Sequence, residues 1–525
     1  MVCSPRNWSL SPQKLRRSQG PVPECLENME ATPKSFMNAV KWSYTASWGE
    51  RAFGALFTVI LAAVLGPSDF GIVAIAVIYI NFLQMFLDQG LVVALIQKKD
   101  LQREHLNSVF WLDMALSVVL VGISILLGHW WANLNHAPNA TMIISVLSLC
   151  IPIEGLALLQ KTLLARDMDF KSLSIRSNLS VLAGGIVGLT MAFTGFGVWA
   201  LVGQQITKDF TALLLLWRLS SWRPSFQFSW PHLKGLLGFS LSNFVAQLGI
   251  FADGQAGSIL IALLMGPYGV GLYRLADRVV NSIVAIATSS IQAVSLPEFS
   301  RFQDQREQLR KSALSCIRLS STVTLPALAG LAAVSHPLMR MMGAQWLPAS
   351  PVLKILCALG VVNIFHFFTG PMLQALSRAK DIVILEWSRS ILGIACLLAA
   401  GYLFRNAPET AQLMGIAWAR FITGALIVSP VFVYILMRLC GISIRDLIAA
   451  IAPSALTSAA VIAGVTRFQA AGWLQHGKLV FLLGAQVLLG AVIGLIFLFT
   501  FDLQLRGAVV RMVQRFPTYA KLENL

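Results

Sequence analysis

Four arginines of this 525-residue sequence, Arg51, Arg274, Arg278 and Arg420, stand inside long apolar runs. A guanidinium there is suited to hold a phosphate or another oxyanion, because its planar fork donates parallel N–H bonds to paired oxygens. A charge at the centre of a hydrocarbon layer costs about 2.5–3.5 kcal/mol on insertion scales. Each arginine must therefore meet a partner, a hydrated cavity or an interface. Arg274 and Arg278 are four residues apart and share a helix face, with Asp277 placed to neutralise Arg274. Arg51 either meets an anionic head group or pairs with a carboxylate such as Asp88, and Arg420 is a cavity cation or an anchored one.

A second set of residues could exchange ions. Glu154, Asp253 and the adjacent Lys208-Asp209 fall deep within apolar runs, where a carboxylate's pKa rises and proton exchange near neutral pH becomes accessible. Asp253, Glu154 and Asp88 are the candidates for coupling to a proton or sodium gradient, and Lys208 with either neighbouring carboxylate would equally make a silent structural pair. His366 is a further titratable group or a hydrogen-bonding one. The chain carries no Walker A loop, HExxH or Ser/His/Asp grouping. It offers no cofactor or metal motif, so neither an ATP-driven pump nor an enzyme is indicated.

The elements that hold these residues are dictated by composition. With 56% hydrophobic and 12% charged residues and a mean hydropathy of +0.70, the chain must live in a bilayer. Apolar segments of about 20 residues, the length a hydrocarbon core requires, recur along its whole length. They predict an all-α integral membrane protein of about 14 transmembrane helices, among them 43–65, 239–265 and 270–296.

The fragment Leu65-Gly66-Pro67-Ser68-Asp69-Phe70-Gly71 returns as Met265-Gly266-Pro267-Tyr268-Gly269-Val270-Gly271, 200 residues on. Six helices separate the copies, so the repeats are parallel about an axis along the membrane normal. Leu164-Ala165-Arg166-Asp167 and Leu376-Ser377-Arg378-Ala379 pair the halves a second time. The expected organisation is a disordered cytoplasmic tail over 1–35, an N-lobe of six helices over 36–225, a C-lobe of six over 226–440, two appended helices over 441–505 and a cytoplasmic tail over 506–525. A site should lie between the lobes.

A formal charge of +16 invites a nucleic-acid reading, but the basic residues are placed by topology. Loops after even-numbered helices carry Lys98, Lys99 and Arg103, then Arg301, Arg306, Arg310 and Lys311, then Arg378, Lys380 and Arg389, whereas loops after odd-numbered helices carry only Arg340, Arg405, Arg467 and Lys478. The positive-inside rule puts both termini in the cytoplasm. No nucleic-acid partner is implied. The seven cysteines are scattered without CxxC spacing and read as packing residues.

The motifs carry a resemblance. Leu65 to Gly71, Asp88-Gln89-Gly90-Leu91, Asn107-Ser108-Val109-Phe110-Trp111, Gly271-Leu272-Tyr273-Arg274-Leu275-Ala276-Asp277-Arg278 and Leu296-Pro297-Glu298-Phe299-Ser300-Arg301 together resemble the polysaccharide transporter branch of the multidrug/oligosaccharidyl-lipid/polysaccharide exporter superfamily, the O-antigen and exopolysaccharide flippases. The resemblance implies two six-helix lobes around a central cavity, alternating access, and an undecaprenyl-diphosphate-linked oligosaccharide as cargo, moved across a bacterial inner membrane. It implies membrane lipids, a polysaccharide polymerase and an export complex as partners. Arg51, Arg274, Arg278 and Arg420 would supply the cations that a diphosphate needs. A peptidoglycan-precursor flippase and a drug/cation antiporter of the same superfamily are the alternatives.

Overall fold

The computed structural model describes residues 33–88, 95, 102–167, 169–471 and 479–501. Of the predicted tails over 1–35 and 506–525, residues 1–32 and 506–525 lie outside them, while 33–35 already belong to the first helix. Every regular element among the described residues is helical, as a bilayer demands of a chain whose backbone polar groups find no water. Ten helices are long and apolar enough to cross a membrane. One of these runs is two helices joined at Gly266, and Pro33–Val64, Trp199–Leu219 and Leu479–Phe501 complete the fourteen predicted spans. The protein is a multi-pass membrane protein.

We number the spans α1 (Pro33–Val64), α2 (Pro67–Asp88), α3 (Arg103–Leu134), α4 (Ala140–Arg166), α5 (Phe170–Phe193), α6 (Trp199–Leu219), α7 (230–265), α8 (267–301), α9 (Arg306–Ala333), α10 (Ala349–Ala375), α11 (Ala379–Phe404), α12 (Glu409–Cys440), α13 (Ile444–Ala470) and α14 (Leu479–Phe501).

The two Gly-Pro turns reverse the chain in related ways. Pro67 and Pro267 each open a helix, where the missing N–H costs nothing. Gly266 sits at φ 64°, ψ −159°, a conformation that a side chain would strain. From these turns α2 and α8 descend side by side. A Cβ on Gly71 would strike the Pro267 carbonyl, and one on Gly271 would strike the Pro67 carbonyl. Small residues let membrane helices approach this closely.

The repeat also shows within each lobe, where α1 packs on α5 and α5 on α6, while α11 packs on both α7 and α12. Gly49 of α1 abuts Asn178 of α5, and its counterpart Gly249 of α7 accepts a 2.9 Å hydrogen bond from Ser390 Oγ of α11. At the Gly-Pro end, a 3-10 turn over Ala344–Trp346 links the halves. Trp346 is fully buried, meets Phe70 edge-on at 5.4 Å and donates from Nε1 to the Ala62 carbonyl at 2.7 Å. The appended pair lies against the second lobe, α13 on α9 and α14 on α13.

Candidate functional site

A cavity of about 660 Å³ opens where α1, α2, α6 and α8 meet. It begins beneath the Gly71–Pro267 crossing, since Phe70 and Val73 line it together with residues farther down α2 and α8. Arg51, Arg274 and Arg278 all line it, with Lys208 beside them. At 1.5 Å of rise per residue, Arg274 lies about 10 Å below the proline of its turn and Arg278 about 16 Å. Arg51 lies about 20 Å from the end of α1. The cations form a ladder down the cavity rather than a ring.

Among the described residues, neither Arg51 nor Arg278 has a carboxylate within 4 Å. Arg274 Nη1 donates to Gln255 Oε1 on α7 at 3.1 Å, and Asp277 is not within ion-pair distance of it, contrary to the pairing that their spacing suggests. Asp277 also lines the cavity and accepts from Asn281 one turn on. Glu50 accepts a hydrogen bond from Ser177 of α5, which holds that carboxylate to the cavity's far wall. Four cations thus face two carboxylates, with Thr58, Gln204 and Gln205 among the neutral polar lining. The adjacent Lys208 and Asp209 separate: Lys208 enters the cavity, while Asp209 takes a 2.9 Å bond from Gln205 Nε2.

Arg420 lies elsewhere. With Asp253 and Arg389 it lines a second, smaller cavity of about 60 Å³ among α7, α10, α11 and α12. Its Nη1 donates to the Asp253 carbonyl at 2.9 Å and its Nη2 stands 3.7 Å from Asp253 Oδ2. Arg389 Nη2 approaches the same oxygen at 3.4 Å and Glu386 Oε2 at 2.8 Å. His366 closes the cluster, its Nε2 lying 3.0 Å from Glu386 Oε1 and 2.9 Å from Arg389 Nη1.

Arg389, a loop cation by the sequence reading, is ten residues inside α11. Glu386 is not among the sequence candidates; its i, i+3 spacing to Arg389 within an apolar span is the signal that points to it. Glu154 of α4 is 3.8 Å from Lys161 and lines neither cavity. Asp88 ends α2, and its side chain lies outside the described residues.

This geometry can be set beside known proteins. Residues 60–351 match the model of a family described as "Polysaccharide biosynthesis protein". The succinoglycan biosynthesis transport protein ExoT of Rhizobium meliloti (strain 1021) is 27% identical over 371 residues, 70% of this chain and 74% of that protein. The lipopolysaccharide biosynthesis protein WzxC of Escherichia coli (strain K12) is 23% identical over 368 residues, 70% of this chain and 75% of that one.

Among solved structures, the lipid II flippase MurJ in an inward closed conformation matches with a TM-score of 0.66 at 17% identity, over 88% of this chain and 98% of that one. An inward-facing multidrug resistance MATE family transporter of the MOP superfamily matches with a TM-score of 0.59 at 17% identity, over 75% and 96%. These two show the fold, and the family match runs from the last turn of α1 through both Gly-Pro turns to the start of α10. The chain belongs to the polysaccharide biosynthesis protein family.

Proposed function

We propose that this protein is a flippase that carries an undecaprenyl-diphosphate-linked oligosaccharide across a bacterial inner membrane by alternating access, with both termini in the cytoplasm. The observation that carries the proposal is the convergence of Arg51, Arg274, Arg278 and Lys208 on one cavity against only Glu50 and Asp277. An excess of cations in a confined space is costly until an anion enters. A diphosphate is such an anion, and the arginine fork matches its paired oxygens. About 660 Å³ lies within the range of small-molecule sites and suits the head group with its first sugars. Thr58, Gln204 and Gln205 can meet hydroxyls.

The Gly71–Pro267 crossing and Trp346 seal the Gly-Pro end. In the proposed orientation that end is the outer one, so cargo enters from the cytoplasmic leaflet and leaves when α2 and α8 part. The named relatives act in succinoglycan and lipopolysaccharide biosynthesis, which supports a sugar cargo. A polysaccharide polymerase and an export complex would receive it, and a proton or sodium gradient would drive it. Transport, rather than catalysis, is the role proposed.

The test is leaflet exchange by the purified protein in proteoliposomes, with a fluorescent undecaprenyl-diphosphate oligosaccharide, lipid II and a short-chain drug cation as parallel probes. The proposal expects exchange of the oligosaccharide lipid, lost in Arg51→Ala. Exchange of lipid II alone would make the protein a peptidoglycan-precursor flippase. Transport of the cation alone would make it an antiporter.

A further inference from the structure

We infer that His366 is the residue through which a proton gradient acts on this transporter, by moving its hydrogen bond from Arg389 to Glu386. The inference rests on the flippase reading above and names its coupling residue. Its basis is a conflict at one atom. His366 Nε2 lies 2.9 Å from Arg389 Nη1 and 3.0 Å from Glu386 Oε1. A guanidinium only donates and a carboxylate only accepts, so one ring nitrogen can serve one of them at a time. In the neutral ring with its proton on Nδ1, the Nε2 lone pair accepts from Arg389. Proton uptake places a hydrogen on Nε2, ends that bond and directs the new N–H to Glu386 Oε1.

The surrounding charges set the response to that proton. His366 belongs to α10, Glu386 and Arg389 to α11, Asp253 to α7 and Arg420 to α12, and Phe432 of α12 meets the imidazole edge-on at 4.9 Å. Arg274 and Asp277 of α8 lie beyond, around Tyr273. With His366 neutral, Arg389 and Arg420 balance Asp253 and Glu386. A proton leaves one uncompensated positive charge, and the bond that held Arg389 to the imidazole is gone. Arg389 already stands 3.4 Å from Asp253 Oδ2, and the small cavity that both residues line gives it room to close on that carboxylate.

Asp253 is then drawn from Arg420. It sits two residues before Gln255, the partner of Arg274 in the large cavity, so α7 carries the shift from His366 to the cargo site. Two breaks in the helices beside the cluster can absorb the movement: α10 is interrupted at Asn363, and α12 passes through a π-helical turn over Thr423–Val428. His366 is 24% exposed.

The test uses the full chain in liposomes with fluorescent undecaprenyl-diphosphate oligosaccharide, scored at equal pH and under a one-unit pH gradient. Wild type should distribute the probe unequally under the gradient, by up to about tenfold for one proton per cycle. His366→Gln should lose that asymmetry, with exchange at equal pH in the same vesicles as the control for folding. Asymmetry retained by His366→Gln overturns the inference, as does wild type that exchanges the probe without responding to the gradient. Wild type that exchanges no probe at any pH overturns the flippase reading instead. If His366→Gln fails to reach the membrane, Glu386→Met removes the acceptor, and retained asymmetry there is equally decisive.

Discussion

Gly71 of α2 lies against the carbonyl of Pro267, and its counterpart Gly271 of α8 lies against the carbonyl of Pro67. One contact, made twice across the repeat, closes the Gly-Pro end of the molecule. Neither glycine can gain a side chain while the helices stay crossed. The positions are therefore a handle on the equilibrium between closed and open states.

Gly71→Leu and Gly271→Leu should each shift the protein away from closure at the Gly-Pro end. Overpacking at a tight contact costs about 1–3 kcal/mol, a population shift of roughly five- to 150-fold. A cysteine placed at Ser282, on the cavity wall, should become reachable by an impermeant thiol reagent from the Gly-Pro side. Unchanged labelling, with wild-type amounts of folded protein, would show that this crossing does not gate the cavity.

The cavity arginines should differ from Arg420 in what they do to cargo affinity. Removing a hydrogen bond to a charged group typically costs about 1.5–3 kcal/mol, so Arg51→Ala, Arg274→Ala and Arg278→Ala should each weaken binding of the diphosphate lipid by roughly 10- to 150-fold. Arg51→Lys and Arg278→Lys keep the charge without the fork and should fall between. Equilibrium binding in detergent with a fluorescent undecaprenyl diphosphate measures this. Wild-type affinity in the lysine variants would leave the fork geometry without a role.

Trp346 should matter for stability rather than for cargo. It is fully buried at the joint between the repeats and bonded to the Ala62 carbonyl. Trp346→Ala should cost about 3–5 kcal/mol and lower the unfolding temperature in detergent. Trp346→Phe, which fills most of the space but lacks the N–H, should cost less. Equal losses would assign the effect to the hydrogen bond alone.

The spans, the repeat and the cluster of basic residues near helix ends are legible because each is a property of the chain in one dimension. The direction in which each charge points is not. A helix apolar all round gives no polar stripe from which to infer its facing, so nothing in the sequence separates Arg420 from Arg51, Arg274 and Arg278. The structure puts it across Tyr273 in a cavity of its own. Arg389 reads as a loop residue because a charge near a span's edge shortens the apolar window. The helix in fact continues through it, since Asp253, Glu386 and His366 meet its guanidinium. That cluster joins residues from positions 253 to 420, and no local spacing announces it.

The same cluster yields a prediction about pairing. Asp253 is shared by two guanidiniums, Arg389 at 3.4 Å and Arg420 at 3.7 Å. Asp253→Ala leaves both facing a small cavity without their common counter-charge, and breaking a buried pair from one side typically costs about 3–5 kcal/mol. Arg389 keeps Glu386, whereas Arg420 has no second carboxylate within 4 Å among the described residues and keeps the Asp253 carbonyl. The stranded charge is thus mainly that of Arg420. Asp253→Ala combined with Arg420→Met should therefore be more stable than Asp253→Ala alone, while Asp253→Ala with Lys161→Met should not, because Lys161 pairs with the distant Glu154. Thermal unfolding in detergent of wild type, Asp253→Ala, Arg420→Met and their combination completes the cycle, with the Lys161→Met combination as control. Additive losses for Asp253 and Arg420 would mean that their approach contributes nothing to the fold, and would remove Asp253 as the link between the histidine cluster and the cargo cavity.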